Sequence, residues 1–217
     1  RFSVDQSLTR VLPSDIYVRP ATAPAGSLGS TTATFSDQDQ RTLAGHPQVE
    51  RAEFSLNMKV TLDPARAPVS LIARPLDRND AARKLPLTGA SLAWRDGMAP
   101  PAWVSEAIVD IYSARVGGEI TLPIAGEART FIVAGVWRDY ARQFGAVIID
   151  IADYTRLAGA AAPTEAALWL APGAGAAEVT ADLQPKMQLK SAEFASSGEI
   201  RAISLRIFDR SFAVTYV

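Results

Sequence analysis

Few side chains in this sequence could do chemistry, and each stands where a structural task also claims it. Acidic pairs occur three times: Asp37 with Asp39, Asp77 with Asp80, and Asp150 with Asp153. Two carboxylates can divide acid and base work or share a metal ion. Each of these pairs, however, falls at a helix start or turn, where carboxylates accept from exposed backbone N–H groups. None has the Asp/Asn/Gly spacing of a calcium loop. The one histidine, His46, sits between Gly45 and Pro47 at the end of a helical stretch, where it can cap carbonyls. Ser27 and Ser30 lie in a Gly-rich stretch without the Gly-x-Ser-x-Gly order of a hydrolase elbow. Gly173-Ala174-Gly175-Ala176-Ala177 lacks the Lys-Ser/Thr pair that holds phosphate and Mg²⁺. Cysteine is absent, so there is no disulfide framework, thiolate site or cysteine nucleophile. These residues predict no catalytic group, no cofactor and no metal, and hence a chain that is not an enzyme.

The most function-like segment is Arg138-Asp139-Tyr140-Ala141-Arg142-Gln143-Phe144-Gly145. It crowds two arginines, an acid and two aromatics between apolar strands. One reading is a solvated connection closed by an ion pair. The other is a docking surface, because Arg and aromatic residues are enriched at interfaces. Arg138, Asp139, Tyr140, Arg142 and Phe144 are therefore the candidate interaction loop.

A second candidate is the segment 198–217. Ile200, Ile203, Ile207 and Val214, with Phe208 beside them, have helical spacing, and no Gly, Asn or Pro closes the run. This is a helix still running at the end of the sequence, and the chain opens at Arg1 without a start methionine. Both features suggest a piece of a longer protein. Arg201, Arg206 and Arg210 fit a wet face. With Phe212 and Tyr216 they also fit a helix approaching a membrane.

The 217 residues are 48% hydrophobic and 21% charged, with net charge -1 and pI about 5.9. A packed core is feasible, and a nucleic-acid partner, which calls for basic surplus, is not indicated. No apolar run approaches the ~18 residues of a membrane span.

The elements that must position the candidates read as follows. A helix over 2–12 leads to a strand at 15–19, a loop at 20–34 and a helix at 37–44 opened by Ser36 and Asp39. Phe54, Leu56, Met58, Val60 and Leu62 alternate with polar residues, the pattern of a half-buried strand. The partner strand runs from Val69 to Ala73. A mixed stretch at 77–100, a short helix from Ser105, a hairpin turning at Gly126, an apolar strand at 146–151 and a short helix at 153–157 form a β-rich block. A strand at 166–171, a helix at 175–183 and a strand at 188–194 then repeat the strand–helix–strand order. The expected class is α+β: a split βαβ-βαβ, ferredoxin-like subdomain over 1–76 and 164–217, with a β-rich subdomain over 77–163 inserted.

Three segments carry a family resemblance. They are Leu12-Pro13-Ser14-Asp15-Ile16-Tyr17-Val18-Arg19-Pro20, the series Val104-Ser105-Glu106-Ala107, Val116-Gly117-Gly118-Glu119 and Phe131 to Tyr140, and Phe194 to Arg201 with Ser204 to Phe212. The chain resembles the extracytoplasmic domain of FtsX-like ABC transporter permeases, of the MacB-type periplasmic core class. That resemblance implies a porter-like subdomain with a β-rich insertion, placed between two transmembrane helices of an inner-membrane protein. It implies a cytoplasmic ABC ATPase, a second permease subunit, and a periplasmic protein or a lipid or lipoprotein substrate as partners. It supplies no catalytic residues. The domain would couple ATP-driven transmembrane motion to an extracytoplasmic partner, with 2–12 and 198–217 as stalks. A competing reading is a lipid- or peptide-binding module using a cleft between the subdomains; a third is a hydrolase with a carboxylate pair.

Overall fold

The structure is a computed structural model that describes residues 14–21, 33–139 and 141–200. In chain order these form β1 (Ile16–Pro20), α1 (Asp37–Ala44), β2 (Val49–Val60), β3 (Val69–Arg74), β4 (Pro101–Ser105), α2 (Glu106–Tyr112), β5 (Glu119–Ile124), β6 (Glu127–Trp137), β7 (Ala146–Asp150), α3 (Ile151–Ala158), β8 (Glu165–Leu170), α4 (Ala176–Leu183) and β9 (Ala192–Ser196). The chain divides into two compact units, Arg1–Glu53 with Thr164–Val217, and Phe54–Pro163.

In the first unit the strand order is β2-β8-β1-β9, with the opening residues of β2 taking part. β1 is antiparallel to both β8 and β9. Two strand–helix–strand repeats are thus interleaved in the ferredoxin-like order that the sequence predicts. Ile16, Val18, Leu43, Leu168, Val179 and Leu183 are buried, so the strands and both helices share one apolar core. α1 begins at Ser36 because its Oγ accepts from the Asp39 N–H at 3.1 Å. The buried Asp39 carboxylate then accepts from the Gln188 N–H at 2.6 Å, which ties α1 to the segment before β9. That segment is a turn, not the strand expected from 188. A 3₁₀ turn at Gln184–Lys186 and the Lys190 ammonium, bonded to the Pro185 and Met187 carbonyls, occupy it.

β9 passes directly into helical backbone at residues 197–200. Ser196 Oγ accepts from the Glu199 N–H at 3.1 Å, and the Glu199 carboxylate accepts from the Ser196 N–H at 2.9 Å. This reciprocal pair is a capping box. The Ser197 N–H donates to the Asp15 carbonyl at 3.0 Å, so the start of β1 and the end of β9 are neighbours. The expected helix over 2–12, and residues 201–217 of the expected terminal helix, lie outside the described residues.

The second unit has the order β5-β6-β4-β7-β3-β2. Pairings β2–β3, β5–β6 and β4–β7 are antiparallel, whereas β3–β7 and β4–β6 are parallel. The second compact unit begins at Phe54, whereas the sequence reading starts the inserted subdomain at residue 77. β3 is hydrogen-bonded along β7 from Ser70–Ala146 to Arg74–Asp150, and the latter part of β2 is bonded to β3. The hairpin of residues 54–74 cannot be separated from the block that supplies β7. β4 went unread in the sequence because all five of its residues are buried, which erases alternation. Its Pro101 stands at the first strand position, where a missing N–H is tolerated.

Helices α2 and α3 cover one sheet face through Ile108, Val109, Tyr154 and Leu157, packed on Leu71, Val104, Val133 and Val147. Across the sheet, Trp103, Trp137 and Ile148 pack with Leu76 and Leu85 from the stretch after β3. Arg78 of that stretch donates to the fully buried Asp153 of α3 at 2.8 Å and lies over the Trp94 ring. Arg156 donates to the same carboxylate oxygen at 2.8 Å. Two guanidiniums thus compensate one buried charge. Asp153 is a clamp for residues 78–94, and Asp150 caps α3 through the Ala152 N–H at 3.2 Å.

The capping box gives a pH signature. The Ser196 backbone N–H, and after it the Ser196 side chain, hold the Glu199 carboxyl below its ordinary value of 4.5. A carboxyl lowered in the folded state contributes stability in full above its unfolded pKa and loses it as pH falls through the folded one. The thermal midpoint of Glu199→Gln is expected to lie below that of the unaltered chain at pH 7, with the gap closing as pH falls to about 3. A gap that stays constant across that range contradicts the capping role.

Candidate functional site

The loop 138–145 is built by its own short-range bonds. After β6 ends at the buried Trp137, the Arg138 N–H donates to the Pro86 carbonyl at 3.0 Å, and its guanidinium pairs with Glu106 at 3.4 Å. Asp139 accepts from the Ala141 N–H at 2.9 Å through Oδ1 and from Arg142 Nη1 at 3.0 Å through Oδ2. Its side chain is only 4% exposed. This is an Asx turn in which each carboxylate oxygen takes one donor from inside the loop. The Gly145 N–H then donates to the Arg142 carbonyl at 3.0 Å.

Gly145 fixes the far end. Its φ is +95°, and a Cβ there would stand 2.5 Å from Ile108 Cδ1. Its carbonyl accepts from the Ser70 N–H at 3.1 Å, at the start of the β3–β7 pairing. The Ser105 hydroxyl, which the sequence places at the head of a helix, does not cap α2. It accepts from the Ala146 N–H at 2.9 Å and anchors the next residue of the same stretch. The loop is therefore bound at its start, middle and end, and Phe144 is left 49% exposed.

Beside this loop lies an open cavity of about 400 Å³, lined by Asp139, Arg142, Gln143 and Phe144 and, from β2, by Lys59. Lys59 and Ser70 are register partners across the β2–β3 hairpin, and Lys59 Nζ donates to Ser70 Oγ at 2.9 Å. Ser70 thus holds the loop through its N–H and the lysine through its hydroxyl. Of the expected loop residues, Asp139, Arg142 and Phe144 come together at the cavity. Arg138 turns to Glu106 instead, and Tyr140 lies outside the described residues, as do Arg201, Arg206, Arg210, Phe212 and Tyr216. Lys59 was not singled out in the sequence, where it reads as one polar member of an alternating strand. The signal that could have found it is the Asp63-Pro64-Ala65-Arg66 turn, which sets the register opposing Lys59 to Ser70.

In the first unit, an open cavity of about 270 Å³ is lined by His46, Gln48, Glu178 and Asp182. The Gln48 N–H donates to His46 Nδ1 at 3.1 Å, so Nε2 is the ring N–H that faces Asp182 at 2.9 Å. His46 caps no helix carbonyl with its ring, unlike the sequence reading. The Lys186 ammonium, and after it His46, hold the Asp182 carboxyl below its ordinary range. Among the described residues no group of three or more acidic or histidine side chains is arranged to hold a metal ion.

Gly145→Ala is expected to destabilise the second unit by about 2 kcal/mol, since positive φ and overpacking act together. A lower urea midpoint, with the loss centred on the transition that exposes Trp103 and Trp137, checks this. An unchanged midpoint would mean that the loop end is not fixed by its contact with Ile108.

Neither a family model nor a curated protein matches the chain in sequence. Among solved structures, the chain is similar to the periplasmic region of MacB from Actinobacillus actinomycetemcomitans. The TM-score is 0.55 at 12% identity, covering 93% of this chain and 97% of that one. It is also similar to the extracellular domain of the noncanonic ABC-type transporter YknZ from Gram-positive bacteria. There the TM-score is 0.51 at 11% identity, covering 83% of this chain and 98% of that one. At such identities the likeness is one of fold. No helix among the described residues is long and apolar enough to cross a membrane. The fold implied by the resemblance in the sequence is the fold found: the chain is built like the extracytoplasmic domains of MacB-type transporters.

Proposed function

We propose that this chain is the extracytoplasmic domain of an ABC transporter permease, and that it transmits ATP-driven movement to a partner outside the cytoplasm without catalysing a reaction itself. The observation that carries this reading is the likeness of fold over 93% of the chain to the periplasmic region of MacB. The Ser197–Asp15 backbone bond supports it, because segments 1–13 and 201–217 join the fold at adjacent points. Two stalks entering one membrane face need such an arrangement. Arg201, Arg206, Arg210, Phe212 and Tyr216 would meet the headgroup region, where cationic and aromatic side chains are favoured. A cytoplasmic ATPase and a second permease subunit complete the machine in this reading. The 138–145 loop is its docking surface, since it combines a preformed backbone with an exposed aromatic side chain.

Placement is tested by inserting a reporter at Gly97, which has φ +89° and open space where a Cβ would stand. In the full-length membrane protein, alkaline phosphatase inserted there is expected to be active and a green fluorescent protein inserted there to be dark. The reverse pattern would put the domain in the cytoplasm and overturn the reading.

A further inference from the structure

We propose that residues 77–92 are a strap that opens as one piece while the sheet beneath it stays folded, with the Arg78–Asp153 pair as its latch. Opening also frees the start of the loop 138–145. The device lies wholly in the second unit and holds whether or not that loop docks a partner.

The strap contains little regular structure, a 3₁₀ turn at Ala81–Arg83. Its latter part lies along the end of β6. There the Thr88 N–H donates to the Val136 carbonyl at 2.9 Å and the Leu92 N–H to the Ala134 carbonyl at 2.7 Å. The Arg138 N–H donates in the other direction, to the Pro86 carbonyl at 3.0 Å. This bond is what ties the strap to the first residue of the 138–145 loop. Leu85, Leu87 and Leu92 pack in the layer of Trp103 and Trp137, whereas Ala82, Arg83 and residues 88–91 are exposed. Arg78 fastens the head. Its guanidinium donates to Asp153 at 2.8 Å, stands 3.8 Å from Asp150 and lies 4.7 Å from the centre of the Trp94 ring.

Two features set the strap apart from the sheet it covers. First, its closed position buries polar atoms without satisfying them. Among the described residues neither the Trp103 nor the Trp137 indole N–H has an acceptor. A buried donor left unmade is costly, and this cost offsets part of what the three leucines gain by packing. Lifting the strap opens the indole layer to water, which supplies acceptors. Second, the latch can part without stranding a charge. Breaking a buried ion pair is usually prohibitive because one partner is left uncompensated. Here Arg156, on the same helix as Asp153, stays on its Oδ1 at 2.8 Å when Arg78 leaves. Arg78 itself is already 29% exposed and regains water. By contrast β7 is hydrogen-bonded to β3 on one side and β4 on the other. Segments with short ladders open at lower free energy than such central strands.

Native-state hydrogen exchange, followed by NMR at low urea concentrations, tests this on the unaltered chain. The amides of Thr88, Leu92 and Arg138 are expected to share one opening equilibrium. That opening is expected to be weaker in its urea dependence than the opening of the β7 amides, because it exposes less surface. Arg78→Met is expected to speed exchange at those three amides about tenfold, the scale of one charge-assisted contact, and to leave the β7 amides unchanged. Thr88 and Leu92 amides that follow β7 in protection and urea dependence would overturn the strap, since it would then open only with the whole unit. Equal acceleration of strap and β7 amides in Arg78→Met, or none at either, would overturn the latch. An Arg138 amide that follows β7 while Thr88 and Leu92 do not would overturn the release of the loop. The urea comparison decides even if Arg78→Met fails to fold.

Discussion

The parallel pairing of β3 with β7 is the constraint on which the second unit depends. Val69, Leu71, Ile72 and Ala73 on one strand and Ala146 to Ile149 on the other are buried, so both strands sit inside the sheet with apolar layers on each face. A parallel pair cannot be closed by a tight turn. The chain between Arg74 and Ala146 must travel away and return, and on the way it lays down β4, β5, β6 and α2. Burial of this pair is worth about 1.5–3 kcal/mol for each large aliphatic side chain, enough to hold the returning chain in register. The last step of that return is the loop 138–145, whose end is fixed where Gly145 meets Ser70.

Ser70 therefore connects packing to the proposed docking loop. Its N–H secures the loop and its hydroxyl orients Lys59. The site residues come from distant parts of the sequence, yet a single buried serine brings them together. Within the loop the Asp139 carboxylate accepts from the Ala141 N–H and from Arg142.

Much of this was legible in the residues. The alternation from Phe54 to Leu62 marks the second half of β2, Ser36 and Asp39 mark the start of α1, and the repeated strand–helix–strand order yields the ferredoxin-like unit. What escaped did so for physical reasons. β4 has no wet face and begins with a proline, so neither alternation nor propensity reports it. The opening of β2 at Val49 is carried by Glu50, Arg51 and Glu53, where Arg51 lies 3.7 Å over the Trp169 ring and masks a strand as a charged stretch. The start of the second unit at Phe54 depends on β3 finding β7, with partners such as Ser70 and Ala146 far apart in sequence, a contact that no local pattern encodes. For the site, the grouping of Arg142, Asp139 and Phe144 was visible, but the internal use of Asp139 and the approach of Lys59 are consequences of tertiary register.

Coupling between this domain and a partner is the central claim, and photo-crosslinking from the loop reads it most directly. Gln143 is exposed at the cavity and accepts a p-benzoylphenylalanine without disturbing the Asp139–Arg142 turn. In the membrane-embedded protein with its ATPase, a coupling domain gives one defined adduct with an extracytoplasmic protein, and the yield changes between nucleotide-free and ATP-trapped states. An adduct whose yield is the same in both states, or no adduct at all, would contradict a domain that transmits movement through this loop.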